Sequence, residues 1–362
     1  MKQYFCLGTY TDPILFGTGE VFEGKGRGVS ICSFEQGEIK VLGEIRITNP
    51  SFVTIDEKKK KIYAVNETKE YLNQFGGGVT QLSYDLNANI KEERTFNTAG
   101  TDPCHIATDP HGNLLAIANF ASGALTTFPL DSQGNIVDER SLFQHEGSSV
   151  HPIRQKSPHA HAAVFTQGAP YLLVPDLGND SVVCYRYEGS TVYECPEKTF
   201  KVPAGSGPRS GVFSADGLHF YLINEISSQV THYVYDGERF ESSQCVETLP
   251  AEFTGDNICS DLHLGKNGKY LYASNRGHDS IAVFSVDEKG NLSLVQRVNC
   301  GGKTPRNFSL DNTGNYLLVG NQDSDTICVF TIGEDGLLNL QNTVAMGTPV
   351  CIHFFEHSKF SL

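Results

Sequence analysis

The stretches Gly207-Pro208-Arg209-Ser210 and Tyr221-Leu222-Ile223-Asn224-Glu225 decide the fold. Apolar residues between 212 and 223 predict two short strands, and Ser214-Ala215-Asp216-Gly217 is typical of the tight turn that joins the strands of a hairpin. The start of the first strand and the end of the second lie at the same edge of such a hairpin. We therefore expect Arg209 and Glu225 to meet on one face of the protein.

The same paired-strand pattern repeats along the chain. The second strands of the pairs end at positions 66, 119, 175, 224, 275 and 321, at intervals of 46 to 56 residues. A seventh first strand begins at Thr348 and has no second strand after it, whereas Tyr4–Thr9 resembles a second strand that lacks its partner. Two more strands with Asp, Gly or Asn turns follow each pair. The sequence therefore predicts an all-β, seven-bladed propeller of four-stranded blades, a single domain over residues 1–362, closed by the N-terminal strand joining the C-terminal blade.

Composition and charge exclude several classes of protein. The 362 residues carry a formal net charge of −14 and no tryptophan, which argues against nucleic-acid binding and against a WD-type repeat. No apolar segment is long enough to span a membrane, and the N-terminus does not resemble a signal peptide, so we expect a cytoplasmic protein. The ten cysteines are scattered without C-x-x-C pairs, which indicates reduced, mostly buried thiols.

Long loops identify one functional face. Turns within the strand pairs are short, whereas the connections 11–28, 68–78, 145–157 and 250–257 are long. Each follows a second strand or precedes a first strand, so all four should lie on the face that carries Arg209 and Glu225. Function concentrates in long loops on a rigid scaffold, and we expect the site on this face.

Ionisable side chains that differ from blade to blade occupy the equivalent positions on this face. These residues are Glu67, His105, His159, His161, Asp176, Arg209, Glu225, Asp261, His263, Arg276, His278 and Arg306. Asn recurs at strand ends and is expected to be structural, as a cap of backbone groups. The arginines suit a carboxylate, a phosphate or an oxyanion, and the histidines and carboxylates can move protons near neutral pH. The set predicts chemistry on an anionic carbonyl substrate.

Motifs for other chemistries are missing from the sequence. It has no G-x-S-x-G, P-loop or H-E-x-x-H motif, which argues against a serine esterase, a P-loop nucleotidase and a zinc protease. The glycines of the 11–28 loop follow no strand-to-helix transition, so no dinucleotide site is expected there. No spacing supports a metal site, and we predict neither a metal nor a cofactor.

With these motifs in view, the chain resembles the seven-bladed propeller lactonases, which include propeller-type 6-phosphogluconolactonases and are related to carboxy-cis,cis-muconate cyclases. The resemblance covers nearly the whole chain. Its most specific segments are Pro158–His161 with Val174–Leu177, Gly207–Arg209 with Asn224–Glu225, Asn275–Arg276, and Pro305–Arg306. Relatives often have histidine where this chain has Ser210.

The resemblance implies an enzyme that hydrolyses a sugar-acid lactone, and the expected reaction is the conversion of 6-phosphogluconolactone to 6-phosphogluconate in the pentose phosphate pathway. It places His161, Arg209, Glu225 and Arg276 in the catalytic site. Either Glu225 or His161 activates water, and His159 is the alternative for the histidine role. The expected substrate-binding residues are His159, His105, Glu67, Asp176, His278 and Arg306.

Two other functions stay open at this point. A lactone-forming cyclase that acts on an unsaturated dicarboxylate would use the same arginines. A non-catalytic propeller would act as an interaction platform. The expected partner is a small anionic lactone, with no nucleic acid and no membrane, and the sequence leaves the oligomeric state unknown.

Overall fold

Seven antiparallel sheets form a ring in the computed structural model, which describes residues 2–15 and 19–361. We number the blades along the chain and give their strands from the inside outward. Blades 1 to 3 contain Val53–Asp56, Lys61–Asn66, Gly78–Tyr84 and Ile90–Asn97; Pro103–Thr108, Leu114–Asn119, Ala124–Pro129 and Ser141–Gln144; and Val164–Phe165, Tyr171–Asp176, Ser181–Glu188, Thr191–Glu194 and Phe200–Lys201. Blades 4 to 6 contain Pro208–Phe213, His219–Asn224, Gln229–Tyr235 and Phe240–Glu247; Ile258–Leu264, Tyr270–Arg276, Ser280–Val286 and Leu292–Asn299; and Pro305–Leu310, Tyr316–Asn321, Thr326–Ile332 and Leu338–Ala345.

Blade 7 closes the ring as the sequence predicts. Its strands are Pro349–Phe354, Gln3–Thr9, Val29–Glu35 and Glu38–Ile45, in that order from the inside. Gln3–Thr9 lies between two strands and pairs with both, and its residue Leu7 is opposite Ile352 on one side. All seven residues of this strand are buried. The first strand of the chain is therefore held in place by the last.

Blade 3 differs from the predicted four-strand pattern at both edges. Its outer strand is broken into Thr191–Glu194 and Phe200–Lys201 by a 3-10 turn at Pro196–Lys198, because proline cannot donate to a β-ladder. Its inner strand is only Val164–Phe165, although an isolated bridge joins Ala160 to the second strand. The inner edge of blade 3 is therefore irregular where it approaches the channel.

The repeated strand-end asparagines are structural, as the sequence predicts. Asn66, Asn119 and Asn321 are fully buried, and their side-chain amides donate to backbone carbonyls of Thr48, Ala124 and Cys300 respectively. Asn224 and Asn275 donate to the hydroxyls of Thr231 and Ser280. Each side chain satisfies polar groups at the end of a strand.

Apolar residues pack between neighbouring blades, and hydrogen bonds from buried tyrosines stabilise these interfaces. Tyr221 and Tyr272 are buried, and their hydroxyls donate to the carbonyls of Gly290 and Gly336 in the outer turn of the next blade.

Nine of the ten cysteines are buried and all ten are free thiols, as predicted; Cys245 is exposed.

The long loops build the functional face. The 11–28 loop carries a small hairpin of Ile14–Leu15 and Val21–Phe22, with residues 16–18 outside the described part of the chain. The 68–78 loop forms a second hairpin of Glu70–Tyr71 and Gln74–Phe75. Within the described residues, no helix has the length and apolar character that crossing a membrane would require.

Candidate active site

Glu225 lies at the centre of the functional face, directly after the second strand of blade 4. Its side chain is 2% exposed. One carboxylate oxygen, Oε2, is 2.8 Å from Arg276 Nη2 and 2.8 Å from Arg209 Nε. The other, Oε1, is 2.5 Å from Arg154 Nη2. The predicted meeting of Arg209 and Glu225 at one edge of the hairpin is therefore observed.

The three arginines fix the charge of Glu225. Burial alone would raise the pKa of its carboxyl group, but Arg276, Arg154 and Arg209 outweigh burial and hold this pKa well below its ordinary value. The carboxylate is therefore ionised and already occupied by cations, which makes it a weak base.

Arg209 and Arg276 have guanidinium N–H groups that do not contact Glu225. Arg209 Nη1 donates to the Ser260 carbonyl and Arg276 Nη2 donates to the Cys259 carbonyl, 3.0 Å away, which anchors both side chains to blade 5. The Nε groups of both arginines are buried and have no hydrogen-bond partner among the described residues. Arg209 Nε is close to Glu225 as an ion pair, but its N–H is not aligned for a hydrogen bond. Each guanidinium group has five N–H donors, so both arginines keep N–H groups beyond those that contact Glu225 and blade 5, and these can donate to a ligand oxygen.

His161 is next to this cluster. Its Nε2 is 3.8 Å from Glu225 Oε2, and its Nδ1 is 3.6 Å from the sulfur of Cys104. The Cys104 thiol is also 3.4 Å from the His161 carbonyl and can donate to it, which leaves the sulfur free to accept from Nδ1. Burial and then Arg209 lower the pKa of His161 well below its ordinary value. The imidazole is therefore neutral near pH 7 and can accept a proton.

Two chambers of the central channel meet at this cluster. The upper chamber, of about 570 Å³, opens toward the long loops and is lined by Glu225, Arg276 and Arg154 among others. The lower chamber, of about 350 Å³, extends toward the opposite rim at Asn312 and Glu356. Both chambers are lined by Cys104, His161 and Arg306. His161 and the arginines around Glu225 therefore lie at the boundary between the two chambers.

Arg306 and Glu67 form the far side of the upper chamber. Arg306 Nη2 is 3.6 Å from Glu67 Oε2, and the guanidinium lies over the ring of Tyr10. Glu67 also accepts a 2.8 Å hydrogen bond from the Tyr10 hydroxyl. Burial raises the pKa of Glu67 despite the opposing effect of Arg306. Both residues line the chamber, and their role in substrate binding stays a prediction.

His105 lies in the lower chamber rather than at the mouth. Its ring packs on Phe52 with 4.2 Å between ring centroids, and its Nδ1 accepts from the backbone N–H of Ala163. Burial lowers its pKa to about 4. Asp261 and His263 line the same chamber and form a 3.1 Å pair. The expectation that His105 contacts substrate therefore applies only to a ligand that reaches below His161.

Asp176, which the sequence predicts to bind substrate, lies within the scaffold and away from both chambers. Its carboxylate is fully buried, does not line either chamber, and holds the scaffold together. One oxygen is 2.6 Å from His145 Nδ1, and the other accepts from the backbone N–H groups of His159 and Gly178. An acidic side chain at the end of a strand can point into the blade or toward the channel. Its position in the sequence does not distinguish these two orientations.

His159 is turned away from the chambers, and residues 157–163 do not form the regular strand that would align it with His161. Its ring stacks on Phe120 at 4.6 Å and its Nδ1 is 2.9 Å from the Phe120 carbonyl. Only His161 of the two lines the chambers. His278 is also outside both linings, because its Nδ1 is held 2.7 Å from the Ser280 hydroxyl and its ring packs edge-on against Phe253. Substrate contact by His159 and His278 stays a prediction, and neither ring lines the two chambers described here.

Arg154 is the site residue that sequence reasoning missed. It lies in the 145–157 loop, outside the repeated positions, and reaches Glu225 across the channel mouth. The available signal was its place in one of the four long loops. Three of those loops supply described residues to the upper chamber, for example Leu15, His151 and Asp256.

No group of three or more His, Cys, Asp or Glu side chains in the described ranges is arranged to hold a metal ion. The arrangement instead offers a neutral imidazole, the guanidinium groups of Arg209 and Arg276, and an ionised carboxylate that keeps these guanidinium groups together. These groups suit acyl transfer to water, in which a base activates water and cations stabilise the oxyanion.

Comparisons with known proteins agree with this chemistry. Residues 4–354 match the family described as "Lactonase, 7-bladed beta-propeller". The chain is 32% identical over 325 residues to the 6-phosphogluconolactonase of Bacillus subtilis, covering 86% of each chain. It is 31% identical over 296 residues to the 6-phosphogluconolactonase of Formosa agariphila, covering 79% of this chain and 83% of that one. The solved structure of the Pseudomonas aeruginosa periplasmic gluconolactonase superposes with a TM-score of 0.90 at 29% identity, covering 98% of this chain and 99% of that chain.

Proposed function

Because the chain belongs to the seven-bladed β-propeller lactonase family, we propose that it hydrolyses 6-phosphogluconolactone to 6-phosphogluconate. The observation that carries the proposal is that His161, Arg209 and Arg276 all lie within 4 Å of the same oxygen of Glu225, at 3.8, 2.8 and 2.8 Å, and that burial and Arg209 lower the pKa of His161. A lactone carbonyl bound between these groups meets a base and two cations.

In the proposed mechanism, His161 is the base. Its Nε2 accepts a proton from water as the water oxygen bonds to the lactone carbonyl carbon. Negative charge then develops on the carbonyl oxygen, where Arg209 and Arg276 donate to it. The bond from the carbon to the ring oxygen breaks, and the His161 imidazolium returns its proton to that oxygen. The product carboxylic acid loses its proton to solvent.

Glu225 supports this mechanism as a counter-ion. Its oxygens are in ion pairs with three arginines and its pKa is held low, so it is poorly suited to remove a proton from water. Its charge instead holds the guanidinium groups of Arg209 and Arg276 next to each other despite their mutual repulsion. Of the two bases that the sequence left open, we therefore assign the role to His161.

The test is a panel of lactones with the spontaneous hydrolysis rate subtracted, run on the parent and on His161→Gln and Arg209→Ala. We expect the parent to accelerate 6-phosphogluconolactone hydrolysis. Loss of one oxyanion donor should lower kcat by about 10²–10³. His159→Gln is the matched control and should retain the parent rate, because this ring lies outside both chambers. A parent protein that accelerates no lactone, or that cyclises a muconate instead, would reject the proposal.

A cytoplasmic location is part of the same proposal. The Pseudomonas aeruginosa relative is described as periplasmic, which supplies the alternative. Cell fractionation with detection of the native protein distinguishes the two locations.

A further inference from the structure

The 145–157 loop holds Arg154 in a defined position at the mouth of the upper chamber. Gln155, the next residue, is fully buried and its side-chain amide donates to the Leu177 carbonyl. The Gln155 side-chain oxygen accepts from the His151 backbone N–H, and the His151 ring accepts from the Arg154 backbone N–H. This loop therefore presents the guanidinium of Arg154 to the chamber from a fixed backbone.

Arg154 differs from the other two arginines that contact Glu225. Its side chain is 18% exposed, against 9% for Arg209 and 10% for Arg276. Arg209 and Arg276 also donate to backbone carbonyls of blade 5, whereas the guanidinium group of Arg154 contacts Glu225 in the part of the chain that the structure describes. A guanidinium group has five N–H donors, so Arg154 retains donors that can face a ligand.

Glu225 separates two cationic positions. Arg209 and Arg276 share Oε2 on the side of His161, and Arg154 binds Oε1 on the other side. In 6-phosphogluconolactone the phosphate is attached beyond the ring oxygen and not at the carbonyl. A substrate whose carbonyl lies between His161 and Arg209 therefore needs a second cation away from these two residues.

Acidic side chains also line the upper chamber, which restricts where an anion can bind. Glu20, Asp102, Asp256 and Asp323 face it together with Glu67. Asp102 forms an ion pair with Lys69, and Glu67 faces Arg306. Within the described residues, Glu20, Asp256 and Asp323 form no ion pair with an arginine. These carboxylates suit sugar hydroxyl groups as hydrogen-bond acceptors, and a phosphate must lie directly against an arginine.

From this arrangement, which rests on the proposed function, we infer that Arg154 binds the substrate phosphate and determines selectivity for phosphorylated lactones. Guanidinium groups bind phosphate oxygens bidentately, and the spare donors of Arg154 are at the mouth, where the phosphate enters. When phosphate binds, Arg154 shares its donors between the phosphate and Glu225, while Arg209 and Arg276 keep Oε2 occupied.

The experiment compares 6-phosphogluconolactone with unphosphorylated gluconolactone in the parent and in Arg154→Gln. We expect KM for the phosphorylated lactone to rise about 10- to 100-fold, as is typical for the loss of a hydrogen bond to a charged group. The loss for the unphosphorylated lactone should be much smaller, so that the ratio of the two kcat/KM values falls. Inhibition by inorganic phosphate should weaken in parallel, and Arg154→Lys should recover part of the selectivity.

Lys156→Gln is the matched control, because it removes a positive charge from the same loop at an exposed residue that lines neither chamber. It should leave both substrates and phosphate inhibition unchanged. Equal losses for the two lactones in Arg154→Gln would show that Arg154 only anchors the loop and would overturn the inference, as would an unchanged KM for the phosphorylated lactone. These outcomes require an active parent, so they differ from the failure of the proposed function, in which the parent itself is inactive.

Discussion

Replacing Glu225 by glutamine removes the negative charge that three arginines share. The amide has one acceptor oxygen and one NH₂ group, which can only repel a guanidinium. If the oxygen stays between Arg209 and Arg276, the NH₂ group faces Arg154 and that contact is lost; the opposite orientation loses two contacts. We therefore expect Glu225→Gln to keep the pair with Arg209 and Arg276 in weakened form and to release Arg154.

The size of the effect follows from burial. The side chain of Glu225 is 2% exposed and those of its partners are 9% to 18% exposed, so solvent screens the remaining cations poorly. Breaking a buried ion pair by removing one partner costs about 3–5 kcal/mol. We expect the free energy of unfolding to fall by about this amount, and kcat/KM to fall with it, because Arg209 and Arg276 are no longer held together.

Urea unfolding followed by fluorescence or circular dichroism measures the first effect, and the lactone assay measures the second. Added phosphate or sulfate should stabilise the variant more than the parent, because an anion can replace the missing carboxylate. Glu67→Gln is the matched control: its carboxyl group faces one arginine at 3.6 Å and burial raises its pKa, so its loss should cost far less stability. A Glu225→Gln protein with parental stability and full activity would refute this reasoning.

Three further predictions concern the base, the metal and the ring. Because His161 must be unprotonated and its pKa is depressed, kcat/KM should stay constant from pH 8 through 6.5 and fall only at lower pH; an inflection near 6.5 would contradict this assignment. A chelator should leave the rate unchanged, since no described cluster is arranged for a metal, and reactivation by an added divalent ion would argue otherwise. Deleting residues 1–10 removes buried Phe5 and Leu7 and should cost more than about 5 kcal/mol, measured by urea unfolding; parental stability would show that the strand is dispensable.

Repetition made most of the fold predictable from the sequence. The regular spacing of strand ends places Asn66, Asn224 and Asn321 at equivalent positions, and closure follows from an unpaired strand pattern at each terminus. The meeting of Arg209 and Glu225 was predictable because a hairpin brings its open ends together at one edge, whatever the rest of the protein does.

The details of the site were less predictable, for physical reasons. Arg154 is on a loop without a repeat, so its reach across the channel depends on how that loop is held by Gln155 and His151. Asp176 sits at the same kind of position as Glu225, but it points into the blade and binds His145. The direction of a side chain at a strand end depends on neighbouring blades, which sequence spacing does not encode.

Closure through Gln3–Thr9 has a consequence for biosynthesis. A ribosome makes this strand long before its inner neighbour Pro349–Phe354. Until Pro349–Phe354 has been made, the growing polypeptide has an open ring with unpaired sheet edges, which are templates for aggregation. Ribosome stalling before residue 349 should yield fragments that chaperones and proteases recognise by these edges, so the circular topology makes the synthesis of Pro349–Phe354 decisive for the survival of the protein.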